Sequence, residues 1–286
     1  MSQDAARLAA ATGDSDLLPI AELLREASAL VLTGAGMSTD SGIPDYRGPD
    51  GTRRVEPMQY NEFRASSAAR RRYWARSFVG WQRMATVQPN EAHRAVARLQ
   101  RAGHLGALIT QNVDGLHQAA GSPDVVELHG ALRDVVCLTC GERSSRTALD
   151  ARMRSDNPGF VVRGDEIRPD GDVRLDEVDV ERFVVPLCTS CGQDTLKPDV
   201  VFFGDSVPPG RVEYCFALTD AANALVVLGS SLAVMSGYRF VRRAAARGVP
   251  IVIITRGPTR GDGEATHRVD AALAPTLARL VAALGC

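Results

Sequence analysis

Four of the six cysteines stand in two matched pairs, Cys137-x-x-Cys140 and Cys188-x-x-Cys191. Each C-x-x-C presents two sulfurs to one ion, and Gly141 and Gly192 supply the tight turn after each pair. In a reducing compartment such pairs read as one tetrathiolate zinc site rather than a disulfide framework. Four thiolates fill the coordination sphere, so the expected zinc is structural, with Cys137, Cys140, Cys188 and Cys191 as its ligands. A redox dithiol would leave the second pair unexplained. Cys215 lies in the apolar run Tyr214–Leu218 and is expected in the core, and Cys286 is left over.

A second chemical signal is Gly34-Ala35-Gly36-Met37-Ser38, directly after the apolar run Ala29–Thr33. A strand feeding a turn of small residues lets backbone approach a diphosphate at a helix start. The dehydrogenase fingerprint is incomplete, because Thr39 stands where a third glycine is usual. Gly229, Ser230 and Ser231 follow another apolar run, Ala224–Leu228, at the strand end where an open α/β sheet binds ligands.

The elements that must position these residues alternate. Strands are predicted over 29–33, 106–110, 125–128, 224–229 and 249–254, and helices over 20–27, 89–102 and 238–247. That rhythm predicts a Rossmann-like, doubly wound parallel sheet. Two segments interrupt it. Residues 43–90 are rich in arginine and aromatics and helical over 68–81, and 133–196 carry the paired cysteines between turn-rich stretches. The expected organisation is a polar leader at 1–16, a nucleotide-binding domain from 17–42, 91–132 and 197–286, and a smaller domain from 43–90 and 133–196 held by its metal.

Composition narrows the function. The 286 residues are 45% hydrophobic and 23% charged with net charge −1, which removes the electrostatic case for bulk nucleic-acid or anionic-membrane binding. No apolar run reaches the roughly 18 residues of a membrane span. Asp4, Asp14 and Asp16 with a lone Arg7 make Met1–Pro19 unlike a secretory signal or a mitochondrial presequence, so a cytoplasmic location is expected. Among the basic residues there is a single lysine, Lys197. As the chain's one lysine it is expected to be its one acylation site beyond the N-terminus.

The glycine turn runs on into Thr39-Asp40-Ser41-Gly42-Ile43-Pro44-Asp45-Tyr46-Arg47. Four further blocks follow in order: Thr110-Gln111-Asn112-Val113-Asp114-Gly115-Leu116-His117, Glu127-Leu128-His129-Gly130, Lys197-Pro198-Asp199-Val200-Val201-Phe202-Phe203-Gly204-Asp205, and Gly229-Ser230-Ser231-Leu232. With the cysteine pairs, these blocks resemble the sirtuin family over residues 20–281. Arg72-Tyr73-Trp74-Ala75-Arg76 and Gly257-Pro258-Thr259-Arg260 resemble its class II branch.

The resemblance implies an NAD-dependent protein-lysine deacylase that releases nicotinamide, free lysine and 2′-O-acyl-ADP-ribose. His129 would be the base, with Asn112 and Asp114 catalytic in the nicotinamide and ribose pocket. NAD would also meet Gly34, Ala35, Gly36, Ser38, Asp45, Tyr46, Arg47, Gln111, Gly229, Ser230, Ser231, Thr255 and Leu273. Val200, Val201, Phe202, Phe203 and Gly204 would pair with the acyl-lysine peptide through main-chain bonds. The implied partners are acylated proteins, not nucleic acid or membrane, and no oligomeric state is implied. Thr255 stands where the family usually has Asn at the adenine ribose. Sirtuins preferring succinyl groups carry a Tyr-x-x-Arg pair that aligns here with Ser77 and Gly80, so neutral acyl groups are expected despite Tyr73-x-x-Arg76. His93, His104 and His117 are read as helix-surface or packing residues. Mono-ADP-ribosyl transfer or lipoamidase-type deacylation would use the same residues, and a non-enzymatic zinc and NAD-binding module is the more distant rival.

Overall fold

A computed structural model describes residues 14–26, 28–48, 50–160 and 168–286. In chain order the elements are α1 (Asp14–Glu26), β1 (Ala29–Thr33), α2 (Tyr60–Ala65), α3 (Ser67–Met84), α4 (Glu91–Arg101), β2 (Leu105–Thr110), α5 (Leu116–Ala119), β3 (Val125–Glu127), β4 (Gly130–Cys137), β5 (Arg143–Ser145), α6 (Arg146–Asp156), α7 (Glu177–Glu181), β6 (Leu196–Val200), α8 (Pro209–Ala221), β7 (Ala224–Leu228), α9 (Met235–Ala246), β8 (Ile251–Ile254), β9 (His267–Val269) and α10 (Leu273–Leu284). Of the leader expected at 1–16, residues 1–13 lie outside the described residues, and Asp14 already opens α1.

Six strands form a parallel sheet in the order β3-β2-β1-β7-β8-β9. Register is set by pairs such as Val31 with Leu108, Ala29 with Ala224 and Leu225 with Ile251. Successive strand residues face opposite sides. Val31, Leu108, Val226 and Val252 therefore join one core under α1, α4 and α10, while Leu32, Ile109, Val227 and Ile253 join a second under α8 and α9. Both faces are covered, so the strands are continuously apolar. Strand order reverses between β1 and β7, which opens a crevice at their C-terminal ends.

The smaller unit contains the antiparallel sheet β5-β4-β6. Its core draws on both interrupting segments: Phe63, Trp74 and Phe78 pack with Leu149, Met153 and Phe183. Trp74 donates its indole N–H to the Leu196 carbonyl at 2.8 Å, tying α3 to β6. Arg146 is buried with its guanidinium 5.4 and 4.9 Å from the rings of Trp74 and Trp81. The boundaries expected at 132/133 and 196/197 fall inside β4 and β6. The pairing of these two strands shifts register between Gly130 and Val135.

Candidate active site and metal centre

One cavity of about 1170 Å³ runs along the C-terminal ends of β1, β2 and β7 into the smaller unit. Its floor is the turn after β1. A Cβ on Gly34 would lie 2.7 Å from the Ser230 Cβ, and one on Gly36 would lie 3.0 Å from the Gly229 oxygen. Gly229 itself has φ +60° and would press a Cβ onto the Met37 amide at 2.6 Å. Main chain fills the space side chains would need, and the Gly36 N–H donates to the Gly229 carbonyl at 2.9 Å. Such a bare backbone cradle fits the diphosphate of a dinucleotide.

Polar side chains converge behind the floor. Asn112 donates to the Gly34 carbonyl at 3.1 Å and to the Ser38 hydroxyl at 3.0 Å. Ser38 in turn donates to Asp114 at 2.7 Å. Burial raises the Asp114 pKa, against the Leu116 N–H and the Ser38 hydroxyl that stabilise its anion. Gln111 donates to the Ser230 hydroxyl at 2.9 Å, joining the ends of β2 and β7.

His129 ends the Leu128-His129 segment just before β4. Its Nδ1 lies 2.9 Å from the Gln111 carbonyl and its Nε2 2.9 Å from the Ser236 hydroxyl. A carbonyl only accepts, so Nδ1 carries the proton and Nε2 keeps its lone pair. Burial pulls the His129 pKa below its usual value, opposed by the Gln111 bond and assisted by Arg211 and Arg239. The ring is therefore neutral at pH 7, with a basic nitrogen at the cavity.

At the mouth, Asp45 pairs with Arg54 at 3.1 Å, Arg47 donates to the Gly51 carbonyl at 3.0 Å, and Tyr46 meets Phe203 edge-on at 5.4 Å. Ala35, Ser231, Thr255 and Leu273 line the opposite end. The Thr255 N–H donates to the Val269 carbonyl, and Leu273 opens α10. Val200, Val201, Phe202, Phe203 and Gly204 all line the cavity. Regular strand stops at Val200, and 201–204 continues as irregular chain held by three backbone bonds: Val201 N–H to the His129 carbonyl and Tyr60 N–H to the Phe203 carbonyl, both 2.8 Å, and Asp205 N–H to the Phe202 carbonyl at 3.0 Å. The structure thus brings every NAD, base and peptide residue expected from the sequence to one cavity.

Among the further lining residues, Ser236, Arg239 and Asp170 carried no role in the sequence reading, and Tyr73 was weighed there only as half of a Tyr-x-x-Arg pair. Ser236 carries no motif, and its role is visible only through its bond to His129. Asp170 reaches the cavity from the smaller unit, and burial raises its pKa. His93 and His117 are buried rather than on helix surfaces. Their rings are 4.8 Å apart, and His117 Nε2 is 3.0 Å from the Thr33 hydroxyl, which donates to Thr110. His104 Nδ1 lies 3.2 Å from the Leu24 carbonyl. Cys215 is buried in the α8 core, as its apolar context implied.

The cysteine pairs meet at the far end of the small sheet. All four sulfurs lie within 4.8 Å of one another, with Cys137 and Cys191 at 3.6 Å and Cys140 and Cys188 at 3.7 Å. Zinc–sulfur bonds of about 2.3 Å in a tetrahedron place sulfurs about 3.8 Å apart, so the four fit a structural zinc ion. Each knuckle closes with one bond, Gly141 N–H to the Cys137 carbonyl and Gly192 N–H to the Cys188 carbonyl, both 2.9 Å. Gly141 and Gly192 take φ +77° and +70°, the conformation the spacing required.

A doubly wound sheet, a glycine-floored crevice and a tetrathiolate module together define a nucleotide-binding α/β protein with a metal-braced insertion. The Sir2 family model matches residues 34–236. NAD-dependent protein deacetylase 1 of Streptomyces coelicolor is 54% identical over 274 residues, covering 96% of this chain and 91% of its own. NAD-dependent protein lipoamidase sirtuin-4, mitochondrial, of Bos taurus is 48% identical over 245 residues, covering 84% of this chain and 78% of its own. A solved Sir2–p53 peptide–NAD+ complex superposes with TM-score 0.75 at 29% identity, covering 94% of this chain and 98% of that one. The chain belongs to the Sir2 family.

Proposed function

We propose that the protein is an NAD-dependent protein-lysine deacylase of the class II type. One observation carries this reading: a single cavity joins the glycine cradle, the basic nitrogen of His129 and the main chain of Val200–Gly204. NAD, when bound, supplies a ribose carbon whose bond to nicotinamide breaks as the acyl oxygen attacks. Asn112 and Asp114, held by Ser38, orient the nicotinamide end. His129 accepts a ribose hydroxyl proton at Nε2, while the Gln111 carbonyl keeps Nδ1 protonated. Ser230, Thr255 and Leu273 hold the adenosine end, and the peptide lies along 201–204. The zinc ion takes no part in the chemistry and braces β4 and β6, the strands that lead to His129 and to Val200. Acylated proteins in the cytoplasm are the partners, a setting that keeps the metal-binding thiols reduced.

Neutral acyl groups suit this site. Ser77 is buried, a Cβ on Gly80 would run into the Gly171 carbonyl, and Asp170 adds a carboxyl beside Tyr73. The bovine relative is a lipoamidase, which favours long neutral chains beside acetyl. The test is to incubate the protein with NAD and acetyl- or lipoyl-lysine peptides, reading nicotinamide and peptide mass. Stoichiometric nicotinamide with loss of acyl supports the proposal. Gain of ADP-ribose on protein, without acyl loss, replaces it with the transferase reading.

A further inference from the structure

Lys197 is 4% exposed. The expectation of an accessible acylation site gives way to a buried cation. Its Nζ donates to the Pro198 carbonyl at 3.0 Å and to the Val200 carbonyl. It also sits 4.7 Å from the Phe202 ring centroid and 5.9 Å from that of Tyr60. No carboxylate lies within ion-pair distance of it among the described residues, and Asp199 instead pairs with Arg143. A buried ammonium is costly unless its donors and charge are satisfied. Here two carbonyls and two aromatic faces satisfy it, and three of those four groups belong to Pro198, Val200 and Phe202.

Those groups flank the point where regular strand ends. Beyond Val200 the main chain loses its ladder, and three backbone bonds hold 201–204. Lys197 adds a further restraint from inside, gripping the Val200 carbonyl and the Phe202 ring, whose residues line the cavity. We infer that Lys197 is a positioning residue, a cationic clamp that presets the 200–204 segment for the acyl-lysine peptide. The inference rests on the deacylase reading for the identity of the peptide. The cation itself is needed, because a neutral side chain of the same length offers neither the charge for the rings nor the donors for the carbonyls.

Burial pushes the Lys197 pKa down to about 8, with Asp205 and Asp199 opposing that shift. Tyr60, on α2, is the other titratable group against it, and Arg143 shields Asp199. The clamp is charged below pH 8 and released above it.

The experiment compares wild type, Lys197→Met and Lys197→Arg. Peptide KM and kcat are read with NAD in excess, and calorimetry measures ADP-ribose binding and acetyl-lysine peptide binding separately. In Lys197→Met, peptide KM is expected to rise at least tenfold, with ADP-ribose affinity within twofold of wild type. Lys197→Arg is expected to restore peptide KM to within about threefold. Wild-type peptide KM is expected to climb above pH 8, and that climb to vanish in Lys197→Arg, which stays charged. An unchanged peptide KM in Lys197→Met overturns the inference. So does equal loss of peptide and ADP-ribose binding without rescue by arginine, which marks a role in folding only. If wild type releases no nicotinamide, the deacylase reading fails on its own, and peptide calorimetry on the same variants still decides the clamp.

Discussion

His129 and the His93–His117 pair are all shielded imidazoles with lowered pKa, yet only one of them faces the cavity. His129 has a fixed proton on Nδ1 and an Nε2 lone pair that meets the Ser236 hydroxyl at the cavity wall. The pair lies sealed between α4 and α5, and His93 Nε2 and His117 Nδ1 have no partner among the described residues. A shifted pKa therefore does not by itself mark a base. What distinguishes His129 is its fixed tautomer on the cavity wall, whereas the pair serves packing and helix capping, His93 within the Asn90 box. The zinc centre extends the contrast, since its cysteines are reactive in kind but closed in coordination.

The contrast is broken most severely at the metal. Chelation, or Cys140→Ser, is expected to unfold the smaller unit, lowering Tm by at least about 10 °C, because binding and folding are coupled there. Metal analysis should find one zinc per folded chain, and a metal-free, fully active preparation would refute the structural role. Next comes His129→Ala. It should reduce kcat/KM about 10²–10⁴-fold with unchanged Tm and zinc content, and activity within tenfold of wild type would sink the assignment.

The sealed pair should act on stability instead. His93 is held down to about 4 by burial, so its folded pKa lies below its unfolded value. Such a group favours the native state above pH 6.5 and works against it as pH falls toward 4, a loss of about 3 kcal/mol from His93 alone. Denaturant melts at pH 7.5 and 5 should show about 2 kcal/mol of it, and His93→Gln should flatten the difference. Meanwhile kcat/KM should hold until pH falls below 6.5, because the His129 pKa is also lowered. Succinyl-lysine should turn over about tenfold more slowly than acetyl-lysine, and the reverse order would contradict the reading of Ser77, Gly80 and Asp170. The smallest effect belongs to Thr255→Asn. Restoring the family's amide should lower the NAD KM about two- to tenfold, the worth of one hydrogen bond.

Much of this was legible in the sequence because the critical positions need particular atoms locally. Gly34, Gly36 and Gly229 must lack a Cβ, the cysteine spacing must close on one ion, and apolar runs must form buried strands, so each announces itself within a few residues. Contacts between distant segments do not. Ser236 meets His129 across the sheet, Asp170 enters from an insertion, and the buried pair forms only when α4 docks beside α5. Strand β9 was missed because its three residues, His267–Val269, mix polar with apolar and extend an edge. The burial of Lys197 was not legible, because a lysine is rarely buried. Its two carbonyl partners are sequence neighbours, but its burial depends on Tyr60 from α2.

The close approach of Gly80 and Gly171 carries a consequence for how this protein can change. A side chain at Gly80 would collide with the Gly171 carbonyl, and one at Gly171, where φ is +76°, would press on Met84 and Leu132. The two positions are therefore sterically coupled through α3 and the 168–172 turn. A side chain at either position requires a compensating shift of the chain packed against it, so this contact resists stepwise change. Recombining this module with that of a relative would have to carry α3 and the 168–172 turn together, and chimeras cut between them should fail at the seam.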